Sequence, residues 1–340
     1  MSDKEYQPWE RNELNKNSKG GTELTMEGII SHVDPELLFD FQLIAARVRE
    51  LHKDKIRIYH LHDLPEDPEA IHLKNSSSRD RFHKLVFSSN WQYNRYCDVL
   101  GIPRNDLSVI IETAIEPIDI KTINKSKDEV RLIYTSTPHR GLELLVPVFI
   151  ELCKKHDNII LDVFSSFKIY GWQDADKPYE ELFKICRDHP KINYHGFAKS
   201  NTDVREALAK AHILAYPCIW QETSCRSVIE AMSAGLLCVH PNYAALSDTA
   251  GGMTFMYQWN EDRAAHANRF FHSLDHAITN VNSDDMQNYL KFVKIYADAR
   301  FNTSKNTSIW TNLLMELKDR FPTVESRKLP GLMFTYEAGR

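Results

Sequence analysis

The stretch ILAYPCIWQETSCRSVIEAMSAGLLCVHP, residues 213–241, reads as strand, loop, helix, strand. ILAYP is a short apolar run closed by Pro217, and LLCVHP is a second one closed by Pro241. Between them Val228, Ile229 and Met232 share one face of a helix over 225–234, Thr223 or Ser224 supplies an N-cap, and Gly235 suits the C′ position. Two strands joined through a helix imply a right-handed crossover between parallel neighbours.

This unit carries two carboxylates, Glu222 before the helix and Glu230 within it. Were both helical, a rise of about 1.5 Å per residue would set their backbones about 12 Å apart and roughly 80° around the axis. That is too far to share a proton. It suits two ends of one elongated ligand, with the helix N-terminus between them offering free N–H groups and a positive dipole end to a phosphate. Glu230 sits among apolar neighbours, so its carboxylate needs a partner such as a ribose diol. The plain alternative is an amphipathic helix with a solvated glutamate, and spacing alone does not separate the two.

Working outward, the same rhythm fills the second half of the chain: strand 130–138, helix 142–156, strand 159–166, helix 179–188, strand 192–197, helix 203–211, then the unit above. Strands alternating with helices of this length predict a parallel, doubly wound sheet. The first half follows suit with a helix opening at Gly20 to Thr22, strands at 39–45 and 55–65 flanking a helical segment over 47–52, a strand at 84–91, a helix at 92–100 and a strand at 107–115. The polar, aperiodic IEPIDIKTINKSKDE marks a boundary near Asp128. The segment 286–320 reads as helices.

At 340 residues, 42% of them hydrophobic, the chain suits two domains. A net charge of -5, from interspersed charges, gives no basic stripe for nucleic acid and no acidic tail. Six cysteines without a CxxC read as reduced thiols in a reducing compartment. The polar N-terminus lacks the apolar run of a secretory signal, and nothing approaches the ~18 apolar residues of a membrane span. These features predict a cytoplasmic protein; a homodimer is left open. Four glycosylation sequons, at Asn75, Asn124, Asn302 and Asn306, read as chance.

Four further motifs bear on chemistry. YTSTPHRGLELLV (134–146) is a strand and turn in which Arg140-Gly141 opens a helix, where a guanidinium can grip a diphosphate with two parallel bonds or simply face water. KGGTELTMEG (19–28) places Gly20 and Gly21 before a helix, a loop that lets backbone approach a ligand, although most Gly-Gly pairs are turns. YHLHDLPED (59–67) puts His60, His62 and Asp63 at a strand's carboxyl end, where open α/β sheets bind ligands; metal binding competes, but no third ligand is suitably spaced. Asp174-Ala175-Asp176 resembles the metal site of the GT-A glycosyltransferase fold, but it lies in a polar loop, and no metal is expected. No GxGxxG, Walker loop, HExxH or GxSxG is present, which weighs against a dinucleotide oxidoreductase.

The run AHILAYPCIWQETSCRSVIEAMSAGLLCVHPNYAALSDTAGG (211–252) closely resembles the donor-binding signature of retaining glycosyltransferases of family 4, and the likeness extends over roughly 84–252. It implies the GT-B fold, two Rossmann-like domains facing across a cleft: residues 1–128 on the acceptor side, with the C-terminal helix 310–340 packing back on them, and residues 129–309 binding the nucleotide sugar. By that resemblance Glu222 meets hydroxyls of the transferred sugar and Glu230 the ribose. Backbone N–H groups near Ser224 and Cys225 approach the sugar and diphosphate, Arg140 holds the donor phosphates, His62 contacts a sugar hydroxyl or the acceptor, and Phe197 lines the nucleobase. Gly20 and Gly21 match the family's N-terminal glycine loop. The family's earlier Gly-Arg pair is absent, with Thr135 and Ser136 in its region, so Lys168 becomes the candidate second cation. Thr-Ser-Cys-Arg after Glu222 also departs from the usual pattern. The short leader resembles that of virus-encoded members.

The activity implied is a retaining transfer of a hexose from a nucleoside diphosphate sugar, GDP-mannose before UDP-glucose, to a hydroxyl of a glycan, glycoprotein or lipid. No metal and no cofactor beyond the donor substrate are implied. Arg140 and helix N-termini would stabilise the departing diphosphate, and domain closure would exclude water. In the family the acceptor is thought to attack from the face the leaving group vacates, so no protein base is required. The alternatives are a nucleotide-sugar epimerase or hydrolase on the same fold, or a non-catalytic nucleotide-sugar binder.

Overall fold

The structure is a computed structural model in which residues 7–9, 18–198 and 200–331 are described. Most of the polar leader, 1–6 and 10–17, and the last part of the helix expected at 310–340, 332–340, lie outside the described residues. The chain divides into two units, Met1–Ala114 with Thr303–Arg340, and Ile115–Asn302. The divisions fall earlier than the ones expected near 128 and 309.

The first unit begins with α1 (Gly21–His32) and the one-turn α2 (Pro35–Leu38), capped by the Asp34 carboxylate on the Glu36 amide. Strands β1 (Phe41–Ala45) and β2 (Ile56–Leu61) follow, then the one-turn α3 (Ser76–Arg79), β3 (Lys84–Phe87), α4 (Asn90–Leu100) and β4 (Ser108–Ile110). The four strands are parallel and lie in chain order, β1-β2-β3-β4. Every residue of β1, β2 and β3 is buried, because both faces of the sheet are covered. One face packs Phe41, Leu43 and Ile58 with Met26 and Ile29 of α1; the other packs Ile44, Tyr59 and Phe87 with Tyr96 of α4.

The helix expected over 47–52 is not there. Ala46 turns the chain at φ 62, and the Gln42 amide then pins the connection, donating to the Glu50 carbonyl at 2.7 Å and accepting from the His52 amide at 2.9 Å. Those bonds occupy backbone groups that a helix would need. The strand expected over 107–115 shortens to β4 because its pairing with β3 ends at Ile110.

The second unit holds β5 (Val130–Thr135), α5 (Leu142–Leu152), β6 (Ile159–Phe164), α6 (Glu180–Asp188), β7 (Ile192–Gly196), α7 (Asn201–Lys210), β8 (Ile213–Ala215), α8 (Arg226–Ser233), β9 (Leu237–Pro241), α9 (Leu246–Ala250), β10 (Phe255–Tyr257), α10 (Arg263–Asn280) and α11 (Asp284–Arg300). Its six strands are all parallel, in the order β10-β9-β8-β5-β6-β7. The chain thus winds from β5 one way to β7, returns through α7 to β8 beside β5, and continues the other way. That is the doubly wound Rossmann order, and the reversal between β5 and β8 is the place where such sheets bind ligands, outside the strands' carboxyl ends. Helices α9 and α10 and strand β10 lie outside the elements read from the sequence, although the Asp262 carboxylate caps α10 by accepting from the Ala265 amide.

The helix α8 ends in a Schellman motif. Gly235, at φ 66, donates to the Met232 carbonyl at 2.9 Å, and Leu236 donates to Ala231 at 3.0 Å. At its other end the N-cap is Cys225, without a side-chain capping bond, rather than Thr223 or Ser224. The foot of this unit is closed by Lys294, whose buried ammonium donates to the Ser233 carbonyl at 2.7 Å and to the Asp298 carboxylate at 2.9 Å.

Last in the chain, α12 (Thr303–Arg320) returns to the first unit. Trp310, Leu313, Leu314 and Leu317 complete the core beside α1 and β1. Among the described residues no helix is long and apolar enough to cross a membrane.

Candidate active site

Two loops meet at the reversal between β5 and β8. One leaves β5 and carries Ser136 to Arg140; the other leaves β8 and carries Tyr216 to Cys225. Arg140 Nη1 donates to both oxygens of Glu222, at 2.8 and 3.0 Å, and the Arg140 carbonyl accepts from the Ile219 amide at 3.2 Å. Gly141 makes this approach feasible. A Cβ at that position would lie 2.3 Å from the Pro217 carbonyl oxygen, and its φ of +129 disfavours any side chain.

Glu222 is 5% exposed, so its charge needs partners. Besides Arg140 it has Tyr216, whose hydroxyl donates to Oε1 at 2.5 Å. Burial, then Cys218 and Glu222, hold the Tyr216 hydroxyl well above its ordinary pKa, so it stays a donor. Burial is the largest influence on Arg140 and works against its charge, but Glu222, Tyr170, Tyr216 and Cys218 together outweigh it and hold the guanidinium well above its ordinary pKa. The Arg140 side chain still has 24% of its surface open, enough for a ligand to reach. Its Nη2 lies 3.5 Å from the Tyr170 hydroxyl, and its Nε has no hydrogen-bond partner among the described residues.

Other polar atoms on the adjoining loops share that condition. The hydroxyls of Thr135, Thr137 and Ser165 and Nδ1 of His139 are buried and without a hydrogen-bond partner among the described residues. Such groups in a folded protein call for a ligand or water. The loops themselves are locked together: the His139 ring stacks on Phe167 with centroids 5.0 Å apart and meets the Trp220 ring edge-on at 4.8 Å. Burial, then Arg140, lower the His139 pKa to about 4, so the ring is neutral at physiological pH.

Glu230, 4% exposed, lies in α8 and accepts from Arg226 Nε at 3.1 Å and from the Asn201 amide at 3.2 Å. Ser224 is half-buried in the turn before α8, and the Cys225 amide donates to Thr249 Oγ1 at 3.4 Å. Lys168 is exposed on the turn Phe167–Tyr170 that also presents Tyr170 to Arg140. Phe197 is half-buried just after β7. The Asp174-Ala175-Asp176 loop serves structure: Asp176 accepts from the Ser166 hydroxyl at 2.6 Å and the Phe167 amide at 2.7 Å, while Asp174 pairs with Lys177. Among the described residues no group of three side chains is placed to hold a metal.

Gly20, Gly21 and His62 belong to the first unit. Neither glycine adopts a positive φ, and a Cβ at Gly21 would meet open space, so the helix start at Gly21 does not itself demand glycine. His62 follows β2 with its ring 4.2 Å from that of His60, and burial lowers its pKa to about 4.

The structure therefore brings Arg140 and Glu222 into contact and gives Glu230 its own partners one turn into α8. Tyr216, Tyr170, Asn201 and Arg226 escaped the sequence reading. Tyr216 could have been found as the aromatic at the carboxyl end of β8; Tyr170 lies 30 residues from Arg140 and has no local signal.

Residues 116–251 match the family model of glycosyl transferases group 1. The matched segment contains Arg140, Glu222 and Glu230 and nearly the whole of the doubly wound sheet. No curated protein matches the chain in sequence. Among solved structures, a glycosyltransferase of Rickettsia africae ESF-5 is 13% identical, with a TM-score of 0.60 over 77% of this chain and 70% of that one. Sucrose-phosphate synthase of Thermosynechococcus elongatus is 13% identical at a TM-score of 0.62, over 78% and 68%. Anabaena HepE, solved with UDP and glucose, is 15% identical at 0.56, over 77% and 72%. These likenesses show the fold: two parallel α/β domains of the GT-B class, as the sequence resemblance implied.

Proposed function

We propose that the protein is a retaining glycosyltransferase that moves a hexose from a nucleoside diphosphate sugar to an acceptor hydroxyl without a metal ion. The observation that carries this reading is the divided guanidinium of Arg140. Its Nη1 holds Glu222, while Nε and Nη2 form a second edge with one long contact between them. A phosphate accepts bidentate bonds from such an edge. Arg140 thus joins a carboxylate suited to sugar hydroxyls and a cation suited to the leaving diphosphate, while Glu230, held by Arg226 and Asn201, faces the task of the ribose.

In the reaction the bond from the anomeric carbon to the diphosphate oxygen breaks, one to the acceptor oxygen forms, and the acceptor hydroxyl's proton passes to an oxygen of the departing diphosphate. Negative charge grows on the departing diphosphate, and Arg140, fixed beforehand by Glu222, stabilises it without reorganising. The hydroxyls of Thr135 and Thr137, at the end of β5, and of Ser165, just after β6, offer further donors. GDP-mannose and UDP-glucose are the donors to try first; the Anabaena structure solved with UDP and glucose supports including the second.

The test is calorimetry of the whole chain against UDP, GDP and their sugar derivatives, with and without a chelator, followed by product analysis with donor alone and with glycan acceptors. Chelator-insensitive binding and transfer with retained anomeric configuration are expected. Binding that requires metal would remove the metal-independent reading, and donor hydrolysis or epimerisation in place of transfer would replace the transferase reading.

A further inference from the structure

Tyr216 is a buried aromatic, 1% exposed, whose hydroxyl points at the carboxylate on which the site depends. Its ring packs 5.8 Å from that of Tyr134, and Ser136 Oγ lies 3.4 Å from its hydroxyl. Arg140 alone would hold Glu222 through a single nitrogen, Nη1, shared between both oxygens. A carboxylate held at one point can pivot about it. The Tyr216 hydroxyl, fixed by a buried ring, adds a second point at Oε1 and stops that pivot. Oε1 then has two donors and Oε2 one, so the remaining acceptor capacity lies chiefly on Oε2.

We propose that Tyr216 is a positioning residue for Glu222: by holding Oε1 it presents Oε2 to a hydroxyl of the donor sugar, and it keeps the buried carboxylate fixed while the other edge of Arg140 meets the diphosphate. The assignment rests on the glycosyl-transfer reading above. It separates two parts of donor recognition, because the nucleotide and phosphates do not touch Glu222 whereas the sugar does. Removing the Tyr216 hydroxyl therefore weakens binding of the sugar-bearing donor and spares the bare nucleotide.

The experiment measures dissociation constants of UDP, UDP-glucose, GDP and GDP-mannose for the wild type, Tyr216→Phe, Glu222→Gln and the double variant. Tyr216→Phe retains the ring, and its melting temperature checks the fold. For whichever pair binds, Tyr216→Phe is expected to weaken the sugar nucleotide about tenfold and to leave the nucleoside diphosphate within about twofold. In the Glu222→Gln background the same change is expected to add nothing, since the two residues act as a unit. Equal losses for nucleotide and sugar nucleotide, or losses that add across the double variant, overturn the role of Tyr216 and leave the glycosyl-transfer reading standing. A wild type that binds none of the four overturns that reading and this proposal with it.

Discussion

Replacing Gly141 with alanine tests whether close backbone approach is what sets Arg140 against Glu222. The new Cβ would sit 2.3 Å from the Pro217 oxygen and 3.0 Å from its carbonyl carbon, both rigid backbone atoms. Ordinary contact begins at 3.4 Å, so one loop must retreat by about 1 Å. The backbone is also held at φ +129, and strain there adds about 1–3 kcal/mol to an overpacking cost of about 1–3 kcal/mol. A combined loss of about 4 kcal/mol lowers the melting temperature by roughly 8–16 °C for a domain of this size. Two other glycines separate the contributions. Gly252, at φ +77 with nothing within 4 Å of a Cβ, has the strain without the clash, and its alanine variant should lose about 1–2 kcal/mol. Gly21, with neither, opens α1, and its alanine variant should be neutral or gain up to about 1 kcal/mol. Scanning calorimetry of the three reads the differences directly, and nucleotide titration of the first shows whether Arg140 has moved. If Gly141→Ala melts within about 2 °C of Gly252→Ala, the contact with Pro217 does not hold the loop and the reasoning fails.

Arg140→Lys keeps the charge but has no second edge, so it should weaken nucleoside diphosphate binding at least about tenfold by calorimetry; unchanged affinity would show that the guanidinium does not meet the phosphates. Ser233→Ala removes the acceptor, 2.9 Å away, of the buried Ile118 amide, and chemical denaturation should show a loss of about 1–3 kcal/mol. His240 is fully buried, and burial lowers its pKa to about 4. The unfolded chain binds that proton near pH 6.5, so it holds more protons than the folded state between the two values. Stability is full above pH 6.5 and falls as the pH drops toward 4, by on the order of 3 kcal/mol from this group. Melting curves of wild type and His240→Asn across that range should diverge, and parallel curves would refute the assignment.

Local pattern was enough to establish the alternation of strand and helix in the second unit as far as β9, the crossover from β8 through α8 to β9, and the end of α8 at Gly235. Apolar period and a glycine free to adopt positive φ are properties of short segments, readable wherever they occur. The same logic failed at 47–52, where Gln42 bonds the connection, and the division of the chain into units depends on which segments pack together. It marked Arg140 and Glu222 separately but could not join them: they stand 82 residues apart in the chain and meet because β5 pairs with β8. Strand order follows from how whole helices cover the sheet, which no single segment encodes. Tyr216 on Glu222, Tyr170 beside Arg140 and the Pro217 carbonyl against Gly141 all depend on that order, so only the tertiary structure could decide them.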